Sequence, residues 1–264
     1  MGEGGLMKRY ERVGLTEEMI DPSLDIRSVN TSFEVVERQD IIDFLPSQRV
    51  FRSSFAAIGY YLQEDLANTR VWAERTVAFA EEYFFGEWRD RALSGPRRDQ
   101  PPDREWWAVH GVWQREFTEA VLWGSVLGCW DRLARIAGAI RDDVRLDIEQ
   151  TEQHRAWLIV VAGHLRGRPW AELAPFIETV QTGRRRRERL LLAWLLANRA
   201  GDPAAIDRAA QAYTAYYLRA EAKVYDILCK LMIDGSFLYH DAARAGHRVN
   251  LPPEVLRDRV IILE

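Results

Sequence analysis

Arg104 and His110 are the residues of this chain whose types and spacing most directly suggest catalysis. They lie six positions apart at the start of a predicted helix, which Asp103 can cap. A histidine can act as acid or base on a ribose hydroxyl, while an arginine can stabilise the charge that develops on a phosphate. One hypothesis is therefore that the chain cleaves RNA, with Arg104 and His110 as its catalytic residues.

This spacing resembles the motif of the HEPN superfamily of helical ribonucleases, in which an arginine and a histidine lie a few residues apart. Glu105 stands at the position where that motif usually has a polar residue after the arginine. Because the chain has 36 basic residues, nearly all of them arginine, the same spacing also arises by chance. The alternative is an exposed first helical turn, with Trp106 or Trp107 packed inward.

The five histidines form no recognisable metal or catalytic motif. None lies three or four positions from another, and no His-Glu-x-x-His pattern occurs. His240 and Asp241 are adjacent, so on a helix their side chains point about 100° apart. We therefore predict two partly exposed polar residues rather than a catalytic relay between them. There is no phosphate-binding glycine loop and no Gly-x-Ser-x-Gly elbow. We therefore predict neither a metal nor a cofactor.

A run of arginines at 184–189 is the strongest concentration of charge, with a net charge of +4. Such a run could hold a phosphate backbone. However, it begins a predicted helix after Gly183 and leads into the apolar stretch 190–196. We predict a solvated face that pairs with nearby acids. The whole chain has a net charge of −4, so a protein is a better predicted partner than nucleic acid.

Composition excludes several classes of protein. With 264 residues, 47% of them hydrophobic and 29% charged, the chain is neither disordered nor collagen-like. No apolar run approaches the roughly 20 residues of a membrane span, and no secretory signal follows the basic pair near the start. Cys129 and Cys229 are 100 residues apart, so we predict small core residues rather than a disulfide. A cytoplasmic protein is expected.

Helical periodicity runs through most of the chain, and no ladder of strands is visible. The breaks Gly167-x-Pro169 and Gly201-x-Pro203 lie 34 residues apart, which is typical of helix-turn-helix repeats. The predicted fold class is all-α, with antiparallel helical hairpins stacked as a TPR-like α-superhelix or as a compact helical array. One long helix is predicted over about 221–245.

Two regions are predicted along the chain. Residues 1–46 form an acidic, partly irregular N-terminal segment, and residues 47–264 form a single helical domain with a proline-rich loop at 94–103. In the acidic segment, Glu37, Asp40 and Asp43 are candidate partner-binding residues, because an acidic patch can imitate nucleic acid and speed association.

All ten tryptophans lie between Trp72 and Trp194. Trp106, Trp113 and Trp123 are separated by seven and ten residues, so one helix face can bury all three. Trp107 falls outside that stripe and is a candidate surface anchor for a protein partner.

From about Phe117 to the end, three stretches resemble the immunity proteins numbered 49 of bacterial polymorphic-toxin systems. The first stretch is 119–133, in which 119–123 and 129–133 carry the resemblance. The second is the arginine- and leucine-rich helix 190–202, and the third is 237–247 with its Leu-Pro-Pro tail at 251–253. The resemblance implies an all-helical, non-enzymatic inhibitor that binds and blocks a cognate toxin. It supplies no catalytic motif.

The sequence therefore leaves three functions open. The first is a bacterial immunity protein that acts by stoichiometric binding to a toxin. The second is a helical-repeat scaffold for another bacterial complex, which an open groove would favour and a closed structure would oppose. The third is a ribonuclease that uses Arg104 and His110.

Overall fold

The computed structural model describes residues 7–20, 45–86, 113–144, 151–224 and 227–263. These residues form helices, turns and loops without any strand, so the prediction of an all-α fold is confirmed. The helices are α1 (Arg9–Arg12), α2 (Leu45–Leu62), α3 (Leu66–Phe85), α4 (Trp113–Val126), α5 (Trp130–Gly138), α6 (Glu152–Leu165), α7 (Trp170–Thr182), α8 (Arg186–Ala200), α9 (Pro203–Ala220), α10 (Ile227–Lys230), α11 (Ile233–Arg244) and α12 (Pro253–Asp258), with a 3-10 turn at Glu17–Ile20.

Consecutive helices pack as hairpins. The pairs are α2 with α3, α4 with α5, α6 with α7, and α8 with α9. Both predicted breaks are hairpin turns: Gly167 has φ +71° and Gly201 has φ +67°, a conformation that glycine adopts without strain. Asp202 caps α9 by accepting hydrogen bonds from the backbone of Ala204 and Ala205.

Small residues let the helices of a hairpin approach closely. A Cβ atom added to Gly124 on α4 would lie 2.4 Å from Leu133 of α5. A Cβ atom added to Gly163 on α6 would lie 2.6 Å from Leu173 of α7. Both leucines are fully buried, so they pack directly on the glycine backbone.

The predicted long helix over about 221–245 is wrong. The chain instead forms α10 and α11 there, with turns after α9 and around Met232. Met232 donates its backbone N–H to the carbonyl of Arg259 at 2.8 Å, and Arg259 donates to the carbonyl of Lys230 at 2.9 Å. Contacts with the C-terminal segment therefore replace the hydrogen bonds that a continuous helix would make.

The C-terminal part of the chain contacts both the first hairpin, α2 with α3, and later helices of the array. Helix α11 packs on α4, α8 and α9. Residues 260–263 then lie against the first hairpin, where Tyr61 donates to the carbonyl of Val260 at 2.7 Å and accepts from the N–H of Ile262 at 3.3 Å. This bridging favours a compact array over an open superhelix.

Tyr61→Phe is expected to lower the free energy of unfolding by about 2 kcal/mol, because a buried carbonyl and an N–H each lose a partner. The ring would still fill its site, since Tyr61 is fully buried in the core. Tyr216→Phe is the control, because the hydroxyl of this half-buried residue has no hydrogen bond within the described residues. Urea unfolding measures both variants; equal midpoints for the two would contradict the anchoring role of Tyr61.

Candidate functional site

Six residues predicted from the sequence to act in catalysis or binding lie outside the described residues. The same holds for the proline-rich loop at 94–103 and for Trp106. The roles assigned to these residues therefore stay predictions. They are Glu37, Asp40, Asp43, Arg104, Trp107 and His110.

A buried histidine–aspartate pair lies at the centre of the best-defined polar cluster. His164, in the last turn of α6, places Nε2 2.8 Å from Oδ1 of Asp241 on α11. Asn198 on α8 donates to the other carboxylate oxygen at 3.1 Å, and Arg244 lies 3.2 Å from Oδ1. The side chain of Asp241 is only 3% exposed. Three donors from three helices thus converge on one carboxylate.

The charge of Asp241 is stabilised by these donors. Burial by itself would raise the pKa of Asp241, but the hydrogen bond and charge of His164, the amide of Asn198 and the guanidinium of Arg244 hold it below its usual value. The prediction of a partly exposed Asp241 is wrong, because α11 is packed on both sides. His240 does point elsewhere, with Nε2 2.8 Å from the carbonyl of Ile261.

Two half-buried tryptophans flank this pair, each with an arginine over its ring. The guanidinium of Arg199 lies 4.7 Å from the ring centre of Trp170, and that of Arg244 lies 4.2 Å from the ring centre of Trp130. The Trp170 ring also stacks on the imidazole of His164, with 6.2 Å between centres. We call Trp130, Trp170, Arg199 and Arg244 the Trp–Arg face.

The hairpin turns explain why these side chains meet. Trp130 and Trp170 are the first residues of α5 and α7, while Arg199 and Arg244 lie in the last turns of α8 and α11. In an array of hairpins, successive turns lie at the same end. Four residues far apart in sequence are thus brought to one surface. Positive charge at the C-terminal ends of α8 and α11 is also favoured by the helix dipole.

Most other tryptophans are structural. Trp72, Trp113, Trp123, Trp157 and Trp194 are all buried in the core. The spacing of Trp113 and Trp123 predicts this burial correctly. Among the described tryptophans, Trp130 and Trp170 are half-buried, and each follows a glycine turn.

Two buried glutamates form a second polar cluster on α4. Ser47 donates to Glu116 and Ser54 donates to Glu119, each at 2.5 Å. Glu116 is 0% and Glu119 4% exposed. Burial is the main cause that raises the pKa of each carboxyl to about 7.

The arginine run faces partly inward. Arg187 forms ion pairs with Asp234 and, at 3.1 Å, with Glu221. Glu188 is buried and lies 3.4 Å from Nδ1 of His154. The other arginines of the run are exposed. One member of the run therefore joins α8 to α11 and to the residue that follows α9, while the rest remain at the surface.

A cavity between α4, α6 and α11, lined by Phe117, Trp157 and Phe237 among others, has a volume of about 10 Å³, which is room for about one water molecule. Among the described residues, no three His, Cys, Asp or Glu side chains group as metal ligands. Cys129 and Cys229 form no disulfide, and both are half-buried rather than fully enclosed in the core.

No protein-family model, curated protein or solved structure matches the chain. Within the described ranges, no helix is both long enough and apolar enough to cross a membrane.

The Trp–Arg face was not predicted from the sequence. Its members are two tryptophans and two arginines. Each lies within three residues of a turn glycine with positive φ, which is Gly128, Gly167, Gly201 or Gly246. A search for aromatic and arginine residues beside successive glycine turns would have found them.

Proposed function

We propose that this chain is a non-enzymatic immunity protein, which neutralises a bacterial toxin by binding it through the Trp–Arg face. The observation that carries the proposal is the pair of half-buried tryptophans, each covered by an arginine. Tryptophan and arginine are the residue types most enriched among those that dominate protein–protein binding energy.

Several side chains of the face already make contacts within the chain, which favours tight binding. Arg244 lies 3.2 Å from the buried carboxylate of Asp241, and Trp170 contacts both His164 and Arg199. Side chains that are already fixed lose less conformational entropy when a partner arrives.

The resemblance to immunity proteins supports the same surface. Its three stretches are distant in sequence, yet each contributes to the Trp–Arg face or its support: Trp130 from the first, Asn198 and Arg199 from the second, and Asp241 and Arg244 from the third. The scaffold hypothesis is less favoured, because the C-terminal part of the chain bridges the array.

A titration of toxin activity tests the proposal. The toxin encoded beside the gene is mixed with increasing amounts of this chain. Stoichiometric binding predicts a sharp endpoint at one fixed molar ratio, unchanged by longer incubation. An endpoint that moves to ever lower ratios with time would show turnover and contradict the non-enzymatic proposal, and so would the absence of any inhibition.

A further inference from the structure

We infer that the Trp–Arg face recognises an acidic segment of its protein partner, whose carboxylates are bound by Arg199 and its neighbours. This inference rests on the proposed function and specifies the chemistry of the partner.

The turns around the face are locally basic, although the chain is acidic overall with a net charge of −4. Arg166, Arg199, Arg244 and Arg248 are exposed there. The acids beside these turns are Asp131, Glu172 and Asp202, but Glu172 is paired with Arg168 at 3.2 Å and the side chain of Asp202 caps α9. An acidic segment would therefore be attracted to this end of the molecule.

The arginine donors at the face are available for a ligand. Arg199 forms no ion pair with any described carboxylate, and its guanidinium lies against Trp170. Arg244 uses one nitrogen to contact Asp241. A guanidinium has five N–H donors in one plane and can bind a carboxylate through two of them at once. Because Arg199 makes no hydrogen bond with the described residues, its N–H donors remain for such a bond.

The same geometry favours a protein over a nucleic acid. A base would have to stack on an aromatic ring, as in most single-strand binding sites. The ring of Trp170 is already in contact with Arg199 and His164, and that of Trp130 with Arg244. A base would displace these contacts, whereas a carboxylate can bind at the guanidinium edge and leave them in place.

Titration with a short polyglutamate peptide tests this inference on the full chain. Binding is followed by tryptophan fluorescence, because Trp130 and Trp170 lie next to the proposed donors. We expect binding that weakens as salt is added. Arg199→Gln should weaken it about tenfold, as loss of a charged hydrogen bond does. Arg186→Gln is the matched control: it is exposed at the opposite end of the same helix and should leave the affinity unchanged.

Polylysine and a single-stranded oligothymidylate are the competing probes. Three results would each overturn the inference: failure of polyglutamate to bind, tighter binding of either competing probe, or equal losses of affinity in Arg199→Gln and Arg186→Gln. If polyglutamate fails while the chain still inhibits the toxin at a fixed ratio, only the acidic-segment inference is wrong. If polyglutamate binds but the toxin is not inhibited, the proposed function is wrong.

Discussion

Glu119→Gln is expected to raise the free energy of unfolding at pH 8 by about 3 kcal/mol and to leave it nearly unchanged at pH 4. The reason is that Glu119 is buried on α4 with one hydrogen bond, from Ser54, at 2.5 Å. Burial disfavours the carboxylate and raises its pKa from 4.5 to about 7. Glutamine is neutral at every pH, so the variant avoids the cost of a buried charge.

The direction of the pH dependence follows from proton binding. Between pH 4.5 and about 7 the folded chain keeps a proton on Glu119 that the unfolded chain has already released. Stability therefore falls as the pH rises through this range, and the loss is complete above it. Glu116 adds to the same trend, because its pKa is also raised to about 7.

Urea unfolding between pH 4 and pH 8 measures this effect. The control is Glu74→Gln, since Glu74 is exposed on α3. We expect wild type and the control to lose stability together as the pH rises, while Glu119→Gln shows roughly half that loss, because Glu116 still titrates in the same range. Parallel pH profiles for all three proteins would show that Glu119 is not a buried acid.

Asp241→Ala is expected to lower the free energy of unfolding at pH 7 by about 4 kcal/mol, because it removes the acceptor shared by two buried donors and by Arg244. His164, Asn198 and Arg244 would all lose a partner. The lowered pKa of Asp241 means that its contribution is present above pH 3.8, the unfolded value, and is lost as the pH falls through the lower folded value.

Asp131→Ala is the control for this prediction, because Asp131 is exposed on the neighbouring helix α5. It should change stability by no more than about 0.5 kcal/mol. Thermal or urea unfolding of both variants checks the difference. A loss in Asp241→Ala no larger than in Asp131→Ala would contradict the role of Asp241 in holding the Trp–Arg face.

The helical architecture could be predicted where the signals are local. Gly167, Gly201 and the Asp202-Pro203 pair mark turns and a cap through their own backbone preferences. The break around Met232 could not be predicted, because its cause is a hydrogen bond to Arg259, whose position depends on the tertiary fold.

The candidate site was harder to predict because its contacts join distant residues. His164 and Asp241 are 77 positions apart, and Asn198 is 43 positions from Asp241. Periodicity shows that α11 is amphipathic, but it does not show which helices will cover Asp241. Tryptophan spacing identified the buried Trp113 and Trp123, whereas Trp130 and Trp170 acquire their surroundings only when the turns meet.

The dissociation constant of the complex with the neighbouring toxin tests the central claim most directly. It is measured for wild type, for Trp170→Ala and for Arg186→Ala, after circular dichroism has shown that each is folded. Trp170→Ala should weaken binding by about 2 kcal/mol, roughly thirtyfold, because it removes an aromatic anchor and the support of Arg199. Arg186→Ala should match wild type. Equal dissociation constants for wild type and folded Trp170→Ala would contradict binding through the Trp–Arg face.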